Sequence, residues 1–157
     1  MATGGVLGNG CKIGYSTSSP VSWTGVGQLA DITFPTWEAD KVEITTHSMI
    51  NKLKRYMAGL IEVGDPGFVV LSDFDPATSP GQAALRGYNK TGVSLWWRFE
   101  VPVNRERTLF WGIEFQASVK NYSPEFPIDD KQTTRFELSF DGTDIAEDSA
   151  AGASEIN

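Results

Sequence analysis

The clearest signal along the chain is strict alternation of apolar and polar positions. Over 93–101, Val93, Leu95, Trp97, Phe99 and Val101 alternate with Ser94, Trp96, Arg98 and Glu100. Over 108–120, Leu109, Trp111, Ile113, Phe115, Ala117 and Val119 form one set, and Thr108, Phe110, Gly112, Glu114, Gln116, Ser118 and Lys120 the other. Over 134–140, Phe136, Leu138 and Phe140 alternate with Arg135, Glu137 and Ser139. A period of two over such lengths predicts strands with one face in a core and the other against something polar. The run Asn104-Arg105-Glu106-Arg107 predicts the hairpin connection between the first two strands.

The remaining segments are shorter. Residues 11–15 read as a strand, 16–20 as a turn, and 24–34 as one long strand ended by Pro35. In 41–45, Val42 and Ile44 share one face, and Glu43 and Thr45 the other. Thr46 to about Tyr56 has no period, is polar and basic, and exceeds an ordinary hairpin connection. It predicts an irregular excursion or a loose hairpin. Residues 68–74 read as a buried strand closed by Asp75-Pro76. One helix is predicted over 79–88: Ser79 suits the N-cap, Pro80 the first helical position and Gln82 a capping box, and Gly87 and Gly92 offer stops. Together these predict a mainly-β fold, an antiparallel β-sandwich or barrel with one short flanking α-helix. Residues 1–10 read as an extended N-terminal arm, 11–141 as the β domain, and 142–157 as an acidic tail with no core face.

Composition narrows the function. The 157 residues include 20 acidic and 13 basic side chains, a formal charge of −7. A nucleic-acid binder needs a basic face to displace counterions from phosphates, and anionic lipid asks the same. The charge is uneven. Asp144, Glu147, Asp148 and Glu155 lie in 142–157 with no Lys or Arg, which leaves 16 acids against 13 bases in 1–141. The single cysteine, Cys11, cannot form an internal disulfide. No segment approaches the ~20 apolar residues of a membrane helix. The first ten residues carry no signal-peptide pattern, so synthesis in a cytoplasm is expected.

Catalytic chemistry is scarce. A nucleophile–base pair would have to use His47, the one histidine, in a stretch without scaffold pattern. Transition-metal sites need several His or Cys ligands. Calcium could use Asp73, Asp75, Asp129 and Asp130, although Asp73 and Asp75 read more simply as a strand end and a turn. Gly25-Val26-Gly27-Gln28-Leu29-Ala30 matches a dinucleotide fingerprint as a string but precedes a strand where a helix is required. Glu100 and Glu114 make a carboxylate pair without a cleft. No catalytic residue, metal ligand or cofactor is assigned, and no enzyme is expected. The tryptophans say more. Trp97 and Trp111 fall on core faces, Trp96 beside Arg98 on the other face, and Trp23 and Trp37 at turns. Trp with Arg is the composition of protein-interface hot spots, so Trp23, Trp37, Trp96 and Arg98 are candidates for a subunit interface. A carbohydrate platform of Trp23, Trp37 or Trp96 is the alternative.

Several runs also carry a resemblance. Gly8-Asn9-Gly10, Lys12-Ile13-Gly14-Tyr15, Trp23 through Ile32, Phe34-Pro35, Val42 through Ser48, Ala58 through Glu62 and Asp73-Phe74-Asp75-Pro76 occur in one order. With the helix around Gln82–Leu85, they resemble major tail tube proteins of phages with long non-contractile tails, relatives of the type VI secretion tube. The resemblance spans about residues 5–141. It implies a tail-tube fold, hexameric rings stacked into a tube, and strands of all subunits joined around a lumen. The implied partners are further copies, a tape measure protein in the lumen, terminator and distal tail proteins at the ends, and double-stranded DNA in transit without specific binding. The implied location is the virion tail, made in a host bacterial cytoplasm, with no membrane. A secretion-system tube is the related alternative. The family's long loop, which reaches the adjacent ring, matches 46–61, with His47, Lys52, Lys54, Arg55 and Tyr56 as candidate contacts. A conduit should repel phosphate, and Asp31, Glu43, Glu62 and Asp73, read on polar strand faces, are the candidate lumen acids.

Overall fold

The computed structural model describes residues 10–18, 22–27, 29–44, 54–142 and 145–156. In chain order the elements are β1 (Lys12–Ser16), β2 (Thr24–Gly25), β3 (Leu29–Thr33), β4 (Trp37–Glu43), β5 (Tyr56–Val63), β6 (Gly67–Leu71), α1 (Pro80–Thr91), β7 (Ser94–Pro102), β8 (Phe110–Glu125), β9 (Thr133–Phe140) and β10 (Ala146–Glu147). Eight strands form one antiparallel sheet in the order β2-β1-β7-β8-β9-β6-β3, with β10 paired to β8. Strands β4 and β5 form a separate two-stranded sheet.

Chain geometry dictates that the large sheet curls. Its outermost strands, β2 and β3, are joined by only three residues, from Gly25 to Leu29. Four peptide units reach at most ~14 Å. Six strand spacings laid flat would need ~29 Å. The sheet therefore bends until its ends approach each other, and one face becomes an interior. The residues that alternate in the sequence fill it: Leu95, Trp97, Phe99, Ile113, Phe115, Ala117, Val119, Phe136 and Leu138 are all buried, with Ile13, Phe68 and Val70. Phe68 and Phe136 stack at 5.2 Å, and the indole N–H of Trp97 donates to the Ala117 carbonyl at 3.0 Å. Each such side chain contributes roughly 1.5–3 kcal/mol of transfer free energy. The structure is mainly β, with a single helix among the described residues, as expected.

Helix α1 covers this interior through Leu85. Pro80 sits in its first turn, and Gly92 ends it in the left-handed region (φ 68°), its N–H donating to Tyr88 O at 2.9 Å. The capping box does not form, because Gln82 turns inward. Its amide donates to Leu71 O at 2.9 Å and accepts from Asp73 N–H at 3.2 Å, tying the helix to the end of β6.

Three other expectations change. The run 24–34 is two strands: β2 pairs with β1, and β3 with β6. Strand β6 stops at Leu71, short of residue 74. The C-terminal segment does have a place in the packed body. Residues 145–156 lie along the first half of β8, which β9 does not reach, where Ala146 pairs with Glu114 and Phe110 exchanges both backbone hydrogen bonds with Gly152. Ile156 ends the segment buried beside Trp23.

Candidate interaction surface

The polar face of β7 and β8 is closed by this strap. Arg98 is 2% exposed and Glu100 0%. Arg98 Nε donates to Glu100 at 3.0 Å, Nη1 to Glu114 at 3.0 Å, and Nη2 to Asp148 at 2.7 Å. Nη1 also reaches the second oxygen of Asp148 at 3.1 Å, so that contact is bidentate. Glu100 accepts from the Ser154 hydroxyl at 2.7 Å and the Glu155 N–H at 3.1 Å. Gly112 permits this approach: a Cβ there would sit 2.8 Å from Phe99 O and 3.1 Å from the guanidinium. Burial works against the Arg98 charge, but hydrogen bonds to Asp148 and Glu100 more than offset it and hold the guanidinium above its ordinary range. Asp148 is held below the usual carboxylate range by the Arg98 hydrogen bond. Glu114 is pushed up by burial, which outweighs its pairing with Arg98. The buried ions are paired with one another. The arrangement fastens the strap.

The β4–β5 hairpin is the opposite case. It leaves the body after Pro35 and returns at Val63, closed at its root by a 2.8 Å hydrogen bond from Gly64 N–H to Thr36 O. No other strand pairs with it among the described residues. Both faces are open: Trp37, Val42, Tyr56, Met57 and Ile61 are exposed, and Leu60 is 85% exposed. On one face Glu38 stands directly opposite Glu62, with no ion pair to either among the described residues. Like charges in that register are mutually destabilising. A lone two-stranded hairpin is marginal in water. At its root Trp37, Ile61, Val63, Phe140 and Ile145 line an open hollow of about 690 Å³.

The candidates from the sequence do not converge on one place. His47 and Lys52 lie outside the described residues, while Lys54, Arg55 and Tyr56 are exposed where β5 begins. Asp31 is exposed on β3, at the end of the large sheet; Glu43 and Glu62 lie on the hairpin. Asp73 is on no strand. Its carboxylate takes the Thr78 hydroxyl at 2.6 Å and the Asp75 N–H at 3.0 Å, which lowers its pKa and shapes the turn into α1. Trp23 and Arg98 are buried within the chain: Trp23 is 4% exposed, and the strap covers both. Trp96 is half-buried and Trp37 exposed. Trp111 is part-buried against the core, donating to Asp148 O at 2.9 Å. The residues that sequence reasoning missed are Met57, Leu60 and Ile61. Their signal was the apolar run Tyr56-Met57-Ala58-Gly59-Leu60-Ile61, without the alternation of a half-buried strand. Among the described residues no acid, His or Cys cluster could hold a metal, and no helix is long and apolar enough to cross a membrane.

No protein-family model and no curated protein matches the sequence. Solved structures do match the fold. A chain in the tail of an empty gene transfer agent particle, refined with C6 symmetry, superposes with a TM-score of 0.69 at 8% identity, covering 92% of this chain and 100% of that one. A chain of the anti-feeding prophage baseplate, 6-fold symmetrised, gives 0.66 at 10% identity, covering 93% and 97%. The SPP1 tail tube gives 0.59 at 10% identity, covering 96% and 80%. The chain has the tail-tube fold.

Proposed function

We propose that the protein is a structural virion subunit that assembles with copies of itself into stacked hexameric rings, the tube of a phage tail. The observation that carries this reading is the β4–β5 hairpin: exposed on both faces, rich in large apolar side chains, and paired with no other strand among the described residues, on a body whose fold is that of tail tubes. A second subunit would cover it and remove its free edges. The 6-fold symmetry of two similar assemblies supports rings of six. In this reading the role is not enzymatic. The protein is made in a host bacterial cytoplasm and works in the tail of a phage with a long non-contractile tail. The lumen holds a tape measure protein before ejection and passes double-stranded DNA afterwards, and terminator and distal tail proteins close the ends. The formal charge of −7 suits a conduit that must not retain phosphates. Asp31 and Glu43 are the strand acids proposed for its lining, while Glu62, opposite Glu38, serves a contact between copies instead.

A secretion tube is the second reading, supported by a type six secretion system protein that superposes at a TM-score of 0.51 and 10% identity. Nothing favours a carbohydrate platform, since Trp23 is buried and Trp37 and Trp96 lie on different sheets. Negative-stain microscopy with sedimentation of the full chain tests the proposal. Hollow tubes, or six-subunit rings at lower concentration, are expected. A monomer at every concentration would overturn it.

A further inference from the structure

The hairpin and a second exposed patch lie at opposite ends of the same strands. Strand β6 pairs with β9 so that Gly67 meets Glu137 and Leu71 meets Thr133. The hairpin enters the body through Val63–Pro66, just before Gly67. Phe74 follows the other end of β6, and Phe126 and Ile128 precede the paired end of β9. There Phe74 and Phe126 are exposed with ring centroids 5.8 Å apart, and Ile128 is 99% exposed. Arg86, on α1, places its guanidinium 5.0 Å from the centre of the Phe74 ring. Arg86 Nη1 is buried and has no hydrogen-bond partner among the described residues. Asp73 contributes a negative charge nearby, but its oxygens are used by Thr78 and Asp75.

The two ends are complementary. One offers exposed apolar side chains and the facing pair Glu38 and Glu62, which has no cation among the described residues. The other offers exposed aromatics and the half-buried Arg86 guanidinium beside them, one nitrogen of which, Nη1, has no acceptor among the described residues. Aromatic residues with arginine are the usual anchors of an interface. Two different patches that match each other make a head-to-tail contact, which extends into rings or tubes and does not stop at a dimer. We infer that the β4–β5 hairpin of one copy docks on the Phe74–Phe126–Arg86 patch of the next, with Arg86 received between Glu38 and Glu62. Resting on the self-assembly reading above, this names the surface that receives the hairpin. It also assigns Arg86 a role in positioning the neighbour.

The test combines charge swap with cross-linking, and assembly is followed by sedimentation and microscopy. Arg86→Glu, and separately the pair Glu38→Lys with Glu62→Lys, should each raise the concentration needed for assembly by roughly tenfold or more. The triple variant should return to within about threefold of wild type. Ile128→Asp, at a side chain too exposed to matter for folding, should also raise it, which guards against misfolding of the Arg86 variant. In a Cys11→Ser background, Leu60→Cys with Phe126→Cys should give disulfide-linked chains in assemblies and none in monomers. Wild-type assembly with no effect of Ile128→Asp, no rescue in the triple variant or no cross-link overturns the docking and leaves the assembly reading standing. A wild type that stays monomeric overturns both.

Discussion

The β7–β8 face and the β4–β5 hairpin start from the same local pattern and end in opposite states. Each sets acids among large apolar residues on antiparallel strands. On β7 and β8 the acids meet Arg98, and residues 145–156 fold back over the group, so its charges are paired inside the chain. On the hairpin Glu38 meets Glu62, and the apolar side chains around them face water. The first region is completed by its own sequence. The second has the composition of an interface and lacks a partner. An ion cluster closed within one chain bears on whether that chain folds. An open hairpin bears on what it does once folded. Changes to the two regions should therefore separate stability from assembly.

The largest stability effect belongs to Arg98→Ala. It leaves Glu100 buried without its cation, and breaking a buried pair from one side costs about 3–5 kcal/mol. Urea unfolding measures this, and a loss below about 1 kcal/mol would mean the cluster rearranges to readmit water. Deleting the strap from Ile145 onward should cost about 2–4 kcal/mol, from the uncovering of Ile156 and Trp23 and the loss of Asp148. Tryptophan emission should shift to the red as Trp23 meets water. Gln82→Ala orphans the Leu71 carbonyl and the Asp73 N–H, and about 1–3 kcal/mol should appear as a lower urea midpoint.

Acid should act on the same region in a defined direction. Asp148 has its folded pKa depressed by Arg98. Its contribution is present above the unfolded value of ~4 and is lost as pH falls through the folded value. Glu114, with its folded pKa raised by burial, works the other way: its contribution is largest below the unfolded value and fades as pH rises through the folded one. Asp148→Asn should flatten the loss of stability below pH ~4 in acid titrations followed by circular dichroism. A pH profile identical to wild type would remove Asp148 from the account. The smallest effect on the fold should come from Leu60→Asp, within about 0.5 kcal/mol of wild type because Leu60 is already exposed. The same change should abolish tubes.

The sequence recorded some of this plainly. Leu95, Trp97, Phe99, Ile113, Phe115, Phe136 and Leu138 declared the core through their alternation, because a strand with one dry face must repeat every two residues. The same alternation said nothing of what covers the other face. Arg98 and Glu100 looked solvent-facing because their partners Asp148 and Ser154 lie about fifty positions further on. Residues 24–34 looked like one strand because side-chain type does not report a change of pairing partner, from β1 to β6. The spacing of Ser79 and Gln82 fitted a capping box, but the open groups at the end of β6 drew the glutamine inward. The interface was the least legible part. Val42 shares an alternating face with Ile44, and Leu60 falls in the stretch matched to the family's long loop, but neither pattern tells that the hairpin pairs with no other strand among the described residues.

Hydrogen–deuterium exchange along a concentration series tests the contrast between the two regions most directly. The backbone amides of Ile113–Val119 should be protected at every concentration, because the chain completes that region alone. Those of Tyr56–Val63 should exchange fast in dilute protein and become protected as assemblies form. Protection of Tyr56–Val63 in the dilute monomer, or fast exchange there within formed tubes, would contradict the claim that other copies of the chain complete the hairpin.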